Sequence, residues 1–499
     1  MQNKMNDFST KLRPVLLITA LALFMSFCLD LSNNSLRTPA YFGTIVTFVI
    51  VCFAYYRGLN RNAAIWAMVL GAFLKASYVL YTPVWERQHD VIDFGAGEGH
   101  AAYIEYILYN KSLPDFDPRS VWAFFQPPLH HIVSAAWMWL NIRLKIAERR
   151  LYENVQILPL CYILIMTLLV YFICKELSLT DEATFITMLI VSFHPVYVLL
   201  SGSINNDALA LVLSAFSLYM AIIWYKKQKL WQLILLAASV GLAMMAKLSS
   251  ALVAPAIGIM ILYRMVSDIK SDKSKLIPWI GRLIAFGAVV APLGLWWPIR
   301  NLIRWNMPVN YIPEVGEQLK LTGIGSRIFD LRMHSVYPAM IVNGDSYDEY
   351  NVILAMFKTS FFGECNYSSI SGKITPFAYI TFIFGVILAI VGVVATIYLC
   401  MKKDEVYDTG MKILLGGMFV CLMGGYFAFA LSYNNFSAQD FRYSALAVAI
   451  EGVFIGKFYD RLRAAKRPKL FRTLIKASSV IFAVGAFGVY ILVGLYTIR

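Results

Sequence analysis

The residues able to do chemistry in this chain collect in a few short polar stretches set between long apolar ones. The richest is 85–131, which holds Asp90, His100, Tyr103, a Gln126-Pro127-Pro128-Leu129 turn and the pair His130 and His131. A carboxylate just outside an apolar span has its pKa raised by partial desolvation, and can then take a proton from a hydroxyl or amine. Asp90 is therefore the candidate general base. Two cations stand at span edges: Lys247 interrupts the apolar stretch 230–267, and Arg300 follows Trp296, Trp297 and Pro298. Fixed cations there would neutralise a phosphate and steady it as it departs. The plainer roles are a snorkelling anchor for Lys247 and an interfacial aromatic belt around Arg300.

Asp207 closes the polar turn Asn205-Asn206-Asp207, where it suits a helix N-cap and could also hold a polar ligand or share a metal with Asp90. His100, His130 and His131 lack the spacing of a zinc site, so they are expected as polar contacts lining a cleft. Arg442 and Tyr443 open a late span, and Glu364, in FFGECNY, is a further candidate for shaping a binding site. No cofactor is indicated, and no metal is assigned, although a divalent ion would be compatible with paired acids.

These residues need a membrane frame. The chain has 499 residues, 59% hydrophobic and 15% charged, with mean hydropathy +0.62, which lies outside soluble composition. Apolar segments fall near 14–31, 40–57, 63–82, 155–175, 182–200, 207–224, 230–247, 250–267, 281–299, 376–400, 410–432, 441–457 and 473–496. A stretch of about 20 apolar residues crosses the hydrocarbon core. The first run follows a basic tail without a small-residue cleavage site, and reads as a retained span.

The segment 127–142 is ambiguous, and charge decides it. The basic connectors around Lys226, Lys270, Lys402 and Arg461 share a side with the N-terminal tail only if 127–142 does not cross. It is expected to be an interfacial helix lying along the membrane. Thirteen spans result, N-terminus inside, with two large external loops at 83–154 and 300–375. The net charge of +14 sits in short inside connectors, so no nucleic-acid partner follows. Six cysteines lie in or beside apolar segments and Cys365 stands alone in a loop, so no disulfide framework can be drawn. Four Asn-x-Ser sequons (Asn33, Asn110, Asn366, Asn435) are at chance level.

The order of motifs resembles the GT-C membrane glycosyltransferases, and among them glycosyltransferase family 39, which includes protein O-mannosyltransferases and the lipid A aminoarabinose transferase. The likeness rests on Asp90, His100, Tyr103, Leu113-Pro114 and Gln126-Pro127-Pro128-Leu129 in the first external loop. It continues through SINNDALALVL (203–213), AMMAKLSSALVAPA (243–256), LWWPIRN (295–301) and DFRYSALAV (440–448), and runs from about 63 to 457. The resemblance implies an all-α polytopic GT-C fold and matches Asp90 to the base or acceptor-positioning carboxylate. It matches Lys247 to a donor-phosphate lysine, Asp207 to the aspartate that opens the next span, and Arg442 and Tyr443 to a late Arg-Tyr span start. Three positions depart from the family pattern: the acidic pair reads His89-Asp90-Val91, His131 stands where lysine is frequent, and Gln156 where arginine is.

By domain, 1–62 is expected to hold the tail and two added spans, 63–299 the GT-C module with loop 83–154, 300–375 the second loop, and 376–499 the C-terminal spans. The implied activity is inverting transfer of a sugar from a polyprenyl-phosphate carrier to a lipid, glycan or protein acceptor. The lipid tail sits in the bilayer, Asp90 activates the acceptor, and Lys247 and Arg300 hold the phosphate. Asp207, His100, His131, Arg442, Tyr443 and Glu364 contact the substrates. The short loops favour a bacterial cytoplasmic membrane with the site facing outside. The rivals are a transporter or flippase, which needs ionisable groups within its spans, and a binder of lipid-linked sugars without turnover.

Overall fold

The computed structural model describes residues 53, 57–58, 60–84, 91–313, 323–338, 351–402, 407–433, 436–465 and 469–497. Asp90, nearly all of the expected spans 14–31 and 40–57, and parts of the second loop lie outside the described residues.

The described chain is all-α, as expected for a polytopic membrane protein. Its apolar segments become α1 (Asn60–Tyr81), α2 (Gly99–Asn110), α3 (Leu129–Arg143), α4 (Glu148–Val155), α5 (Ile157–Glu176), α6 (Asp181–Phe193) and α7 (Pro195–Leu200). The middle of the chain forms α8 (Asp207–Lys227), α9 (Leu230–Ala246), α10 (Ala254–Ser271) and α11 (Leu276–Trp305). After α12 (Ile324–Phe329) and α13 (Val352–Phe362) come α14 (Thr375–Met401), α15 (Thr409–Ser432), α16 (Leu446–Ala464) and α17 (Lys469–Thr497). Among the described residues, 8 helices are long and apolar enough to cross a membrane. The other expected spans are the broken pair α6–α7, the shorter α9 and the charge-bearing α16.

Helix direction positions the candidate site. α8 starts at Asp207 and ends at the basic Lys226 and Lys227, about 30 Å away. α9 returns and delivers Lys247 to the Asp207 end, α10 descends again, and α11 rises to place Arg300 and Arg304 near its own last turn. The alternation that the connector charges imply therefore puts Asp207, Lys247 and Arg300 at one end of the bundle, and KKQK at the other.

The segment 127–142 forms the 15-residue α3. At about 22 Å it is short of the roughly 30 Å hydrocarbon core. Its inner face buries His130, His131, Ser134, Ala135, Met138 and Asn141, while Ile132, Trp139, Leu140 and Ile142 are exposed. Its exposed side chains are largely apolar, while both histidines, Ser134 and Asn141 are turned inward.

The expected span 182–200 is broken. Proline cannot donate a backbone hydrogen bond, so the helix stops at Phe193, and the His194 side chain accepts from Val196 N (3.3 Å) as α7 begins. Ser192 O loses its usual donor and is met instead by Lys75 Nζ of α1 at 2.6 Å. Gly71 lets the two helices approach this closely, since a Cβ there would lie 2.6 Å from Ser192 O. Lys75 is fully buried, and Glu451 of α16 packs against Gly392 of α14. Among the described residues the expected spans thus hold Lys75, His194 and Glu451 as ionisable groups away from their ends. A lysine in the span is tolerated because it supplies a donor to a carbonyl that the proline leaves open.

Candidate functional site

Four separated segments meet at the start of α8. The turn 205–207 is buried throughout, and Asn205 Oδ1 accepts from Asp207 N (3.1 Å), which fixes how the turn enters the helix. Asn206 Nδ2 donates to Gln126 Oε1 (3.2 Å) of the Gln-Pro-Pro-Leu turn and to Ala246 O (3.0 Å) at the end of α9. These bonds tie loop 1, the α8 start and the α9 end into one unit. The backbone turns extended at Lys247, and its ammonium pairs with Asp207 Oδ1.

Arg442 approaches the same carboxylate from the other side: its Nε lies 3.5 Å from Asp207 Oδ2 and 3.3 Å from Asp440 Oδ2. The first contact has ion-pair distance but not hydrogen-bond geometry. Asp440 Oδ1 also caps the short turn by accepting from Arg442 N (2.9 Å). Lys247 Nζ sits 4.3 Å from the centre of the Tyr443 ring, a cation–π contact. The cluster comprises two carboxylates, two cations and an aromatic face. Lys247 and Arg442 retain 13% and 15% exposure, so it is nearly sealed. The fold brings Asp207, Lys247, Arg442 and Tyr443 together, whereas the sequence grouped Lys247 with Arg300 and Asp207 with Arg442. Asp207 holds Lys247 as an ion-pair partner, a relation that motif spacing did not disclose.

A second cationic group lies on the last turns of α11. Arg300 rests on the Trp297 ring (4.8 Å), donates to Pro114 O (2.5 Å) and Asn301 Oδ1 (2.9 Å), and lies 3.5 Å from Asp115 Oδ1. Arg304 pairs with the same Asp115 oxygen. Trp297 Nε1 donates to Phe125 O (3.3 Å), so the turn carrying Gln126 also joins the two cationic groups.

Between them stands a column of flat side chains. Phe124 stacks on Tyr103 (4.5 Å) and Tyr103 on His131 (4.1 Å). The His131 ring is nearly parallel to that of His100, with Nε2 2.9 Å from His100 Nδ1. His130 reaches Ile204 O at 3.1 Å, just before the Asp207 turn. Burial, reinforced by neighbouring imidazoles, holds the His131 pKa well below its usual value, and burial with nearby His100 lowers His130 to about 3. Burial pushes the Tyr103 hydroxyl well above its ordinary pKa, with Arg300 acting in the opposite direction. The two imidazoles of α3 are therefore neutral near pH 7. Among the described residues no group of His, Cys, Asp and Glu forms a metal site.

Glu364 is half-buried just past the end of α13, where Gly363 packs on Leu199 of α7. Asp90 lies outside the described residues, although its neighbour Val91 is fully buried in a small core with Ala101, Ile104, Met138 and Ile204. Sequence reasoning passed over Gln126 as a side chain, and over Asn206, Asp440, Asp115 and Arg304. Asp115 and Arg304 carried no signal, since their meeting depends on how loop 1 folds onto α11. The proximity of Asn206 and Asp440 to singled-out charges was the only cue available.

These features define an all-helical, polytopic protein whose charged cluster sits at one end of the helix bundle. Residues 130–296 match the family model described as dolichyl-phosphate-mannose-protein mannosyltransferase. The matched stretch includes Asp207 and Lys247, and over it the chain is similar to that family. No curated protein matches the chain.

Proposed function

We propose that this protein transfers a sugar, with inversion, from a polyprenyl-phosphate carrier to an acceptor on the extracytoplasmic side of the membrane. The acceptor oxygen or nitrogen bonds to the anomeric carbon as the bond from that carbon to the phosphate oxygen breaks. Asp90 takes the acceptor proton, and the electron pair leaves on polyprenyl phosphate. Arg300 holds that phosphate and Lys247 faces it from the α9 end. Asp207, Arg442 and Tyr443 shape the sugar pocket, His100 and His131 line it, and Glu364 borders the acceptor side.

The observation that carries this reading is the convergence of Asp207, Lys247, Arg442 and Tyr443 at one end of the bundle, tied through Asn206 to Gln126 of loop 1. A carbohydrate pocket needs fixed polar groups beside an aromatic face, and a departing phosphate needs cations at the membrane edge. Lys75 and Glu451 within the spans would suit a transporter instead. For Lys75, its bond to Ser192 O gives a structural reason for the charge.

The test is release of polyprenyl phosphate by the purified protein in nanodiscs, supplied in turn with undecaprenyl- and dolichyl-phosphate sugars and candidate acceptors. Turnover is expected with one donor class, and Asp90→Asn should lower it about 10²- to 10⁴-fold, the range of a lost general base. Accessibility labelling that puts positions 90 and 247 on opposite sides of the bilayer would overturn the reading.

A further inference from the structure

Arg300 and Arg304 stand one helical turn apart on α11 and point at the same oxygen of Asp115. That carboxylate is 76% exposed, and it belongs to the Leu113-Pro114-Asp115 corner that Arg300 also grips through Pro114 O. Nearby Arg119 Nη2 donates to Trp305 O (2.9 Å), so this corner of loop 1 is fastened to the end of α11 by polar contacts at its rim. Behind them Tyr103 is fully buried, and among the described residues its hydroxyl has no hydrogen-bond partner. Along α11, Pro292, Leu295, Trp296, Ile299 and Ile303 line an open apolar groove of about 450 Å³ with Arg300 in its wall. An apolar groove with an arginine in its wall, and Arg304 one turn further along the same helix, suits a lipid tail joined to a phosphate. At present a carboxylate occupies the arginine pair.

We propose that Asp115 stands in for the phosphate of the lipid carrier: the incoming phosphate displaces it, binds Arg300 and Arg304 together, and releases the 113–119 corner of loop 1. This rests on the assignment of the donor phosphate to Arg300 above, and adds Arg304 as a second phosphate ligand and Asp115 as a competing latch. Exchange is feasible on energetic grounds. Ion pairs to an exposed carboxylate are weak, whereas a phosphate offers more oxygens and more charge to a pair of guanidinium forks.

The experiment measures binding of undecaprenyl phosphate, without sugar, to the full-length protein in phosphatidylcholine nanodiscs at low and high salt. Asp115→Asn should bind about two- to ten-fold tighter than wild type at low salt, with the gain shrinking as salt rises. Arg304→Gln should bind more weakly, and should remain weaker in the Asp115→Asn background. Weaker binding by Arg300→Gln, with both other variants at the wild-type level, would overturn the latch and leave the donor assignment standing. Unchanged binding by Arg300→Gln would overturn the donor assignment itself. Equal competition by phosphatidylglycerol would show a site for anionic headgroups in general and sink the proposal for the carrier. Variants that lose their thermal transition are replaced by Asp115→Ser and Arg304→Lys, which keep a polar side chain.

Discussion

The two cationic groups at this end of the bundle differ in how their charge is met. Lys247 and Arg442 face an almost fully buried carboxylate, Asp207, inside a web that includes Asn206, Gln126 and Asp440. Arg300 and Arg304 face an exposed carboxylate on a loop corner. In the first group removing one member leaves a charge stranded away from water. In the second the solvent or another anion takes over. Charge of the same sign is thus met by a buried carboxylate at one place and by an exposed one at the other.

That contrast can be broken by mutation. Asp207→Ala should show the largest stability effect, about 3–5 kcal/mol, because Lys247 loses its carboxylate partner inside the bundle while Arg442 keeps Asp440. A melting temperature in detergent close to that of wild type would show that the pocket is wetter and looser than its exposure implies. Lys75→Met comes next. It leaves Ser192 O without a donor in the bundle interior, at a cost of about 1–3 kcal/mol, read by the same melt. Arg300→Gln should leave the melt nearly unchanged and raise KM for the donor about ten-fold, the loss of one charge-assisted contact. A matching fall in stability would erase the distinction between the groups.

The pH response sharpens the comparison from the side of the histidine column. His130 and His131 bind protons less readily folded than unfolded, where the usual value is near 6.5. Below that value the unfolded chain takes up more protons, so stability is fully present above about pH 6.5 and falls as pH drops toward 3. Melting temperatures of wild type and His130→Gln at pH 7.5 and 5.0 check this: the wild type should lose more. Equal losses would show that the His130 imidazole is not buried neutral.

Much of the frame was readable in the chain because a membrane span announces itself by length. The expected segments 207–224, 376–400 and 410–432 became Asp207–Lys227, Thr375–Met401 and Thr409–Ser432. Basic connectors also decided against a crossing at 127–142, and the helix there is short and carries its apolar groups outward. Hydropathy could not see the break at His194-Pro195, since both sides of it are equally apolar. It also missed the need for Lys75, because a carbonyl deprived of its donor leaves no mark in composition. Asp207, Lys247 and Arg442 were each visible as charges at span ends. Their pairing depended on helix lengths that bring 207, 247 and 442 to one level. Asp115 with Arg304 joins positions 189 apart through a loop, for which periodicity offers no guide.

The outward face of α3 has a mechanical meaning. Ile132, Trp139 and Leu140 would be wetted by acyl chains and headgroups while His130 and His131, one ridge away, pack against the floor of the pocket. Lateral pressure in the headgroup layer would then bear on the imidazole column through a single rigid cylinder. Lipid shape would become a variable of the pocket, and a detergent micelle would be a different environment for it from a bilayer.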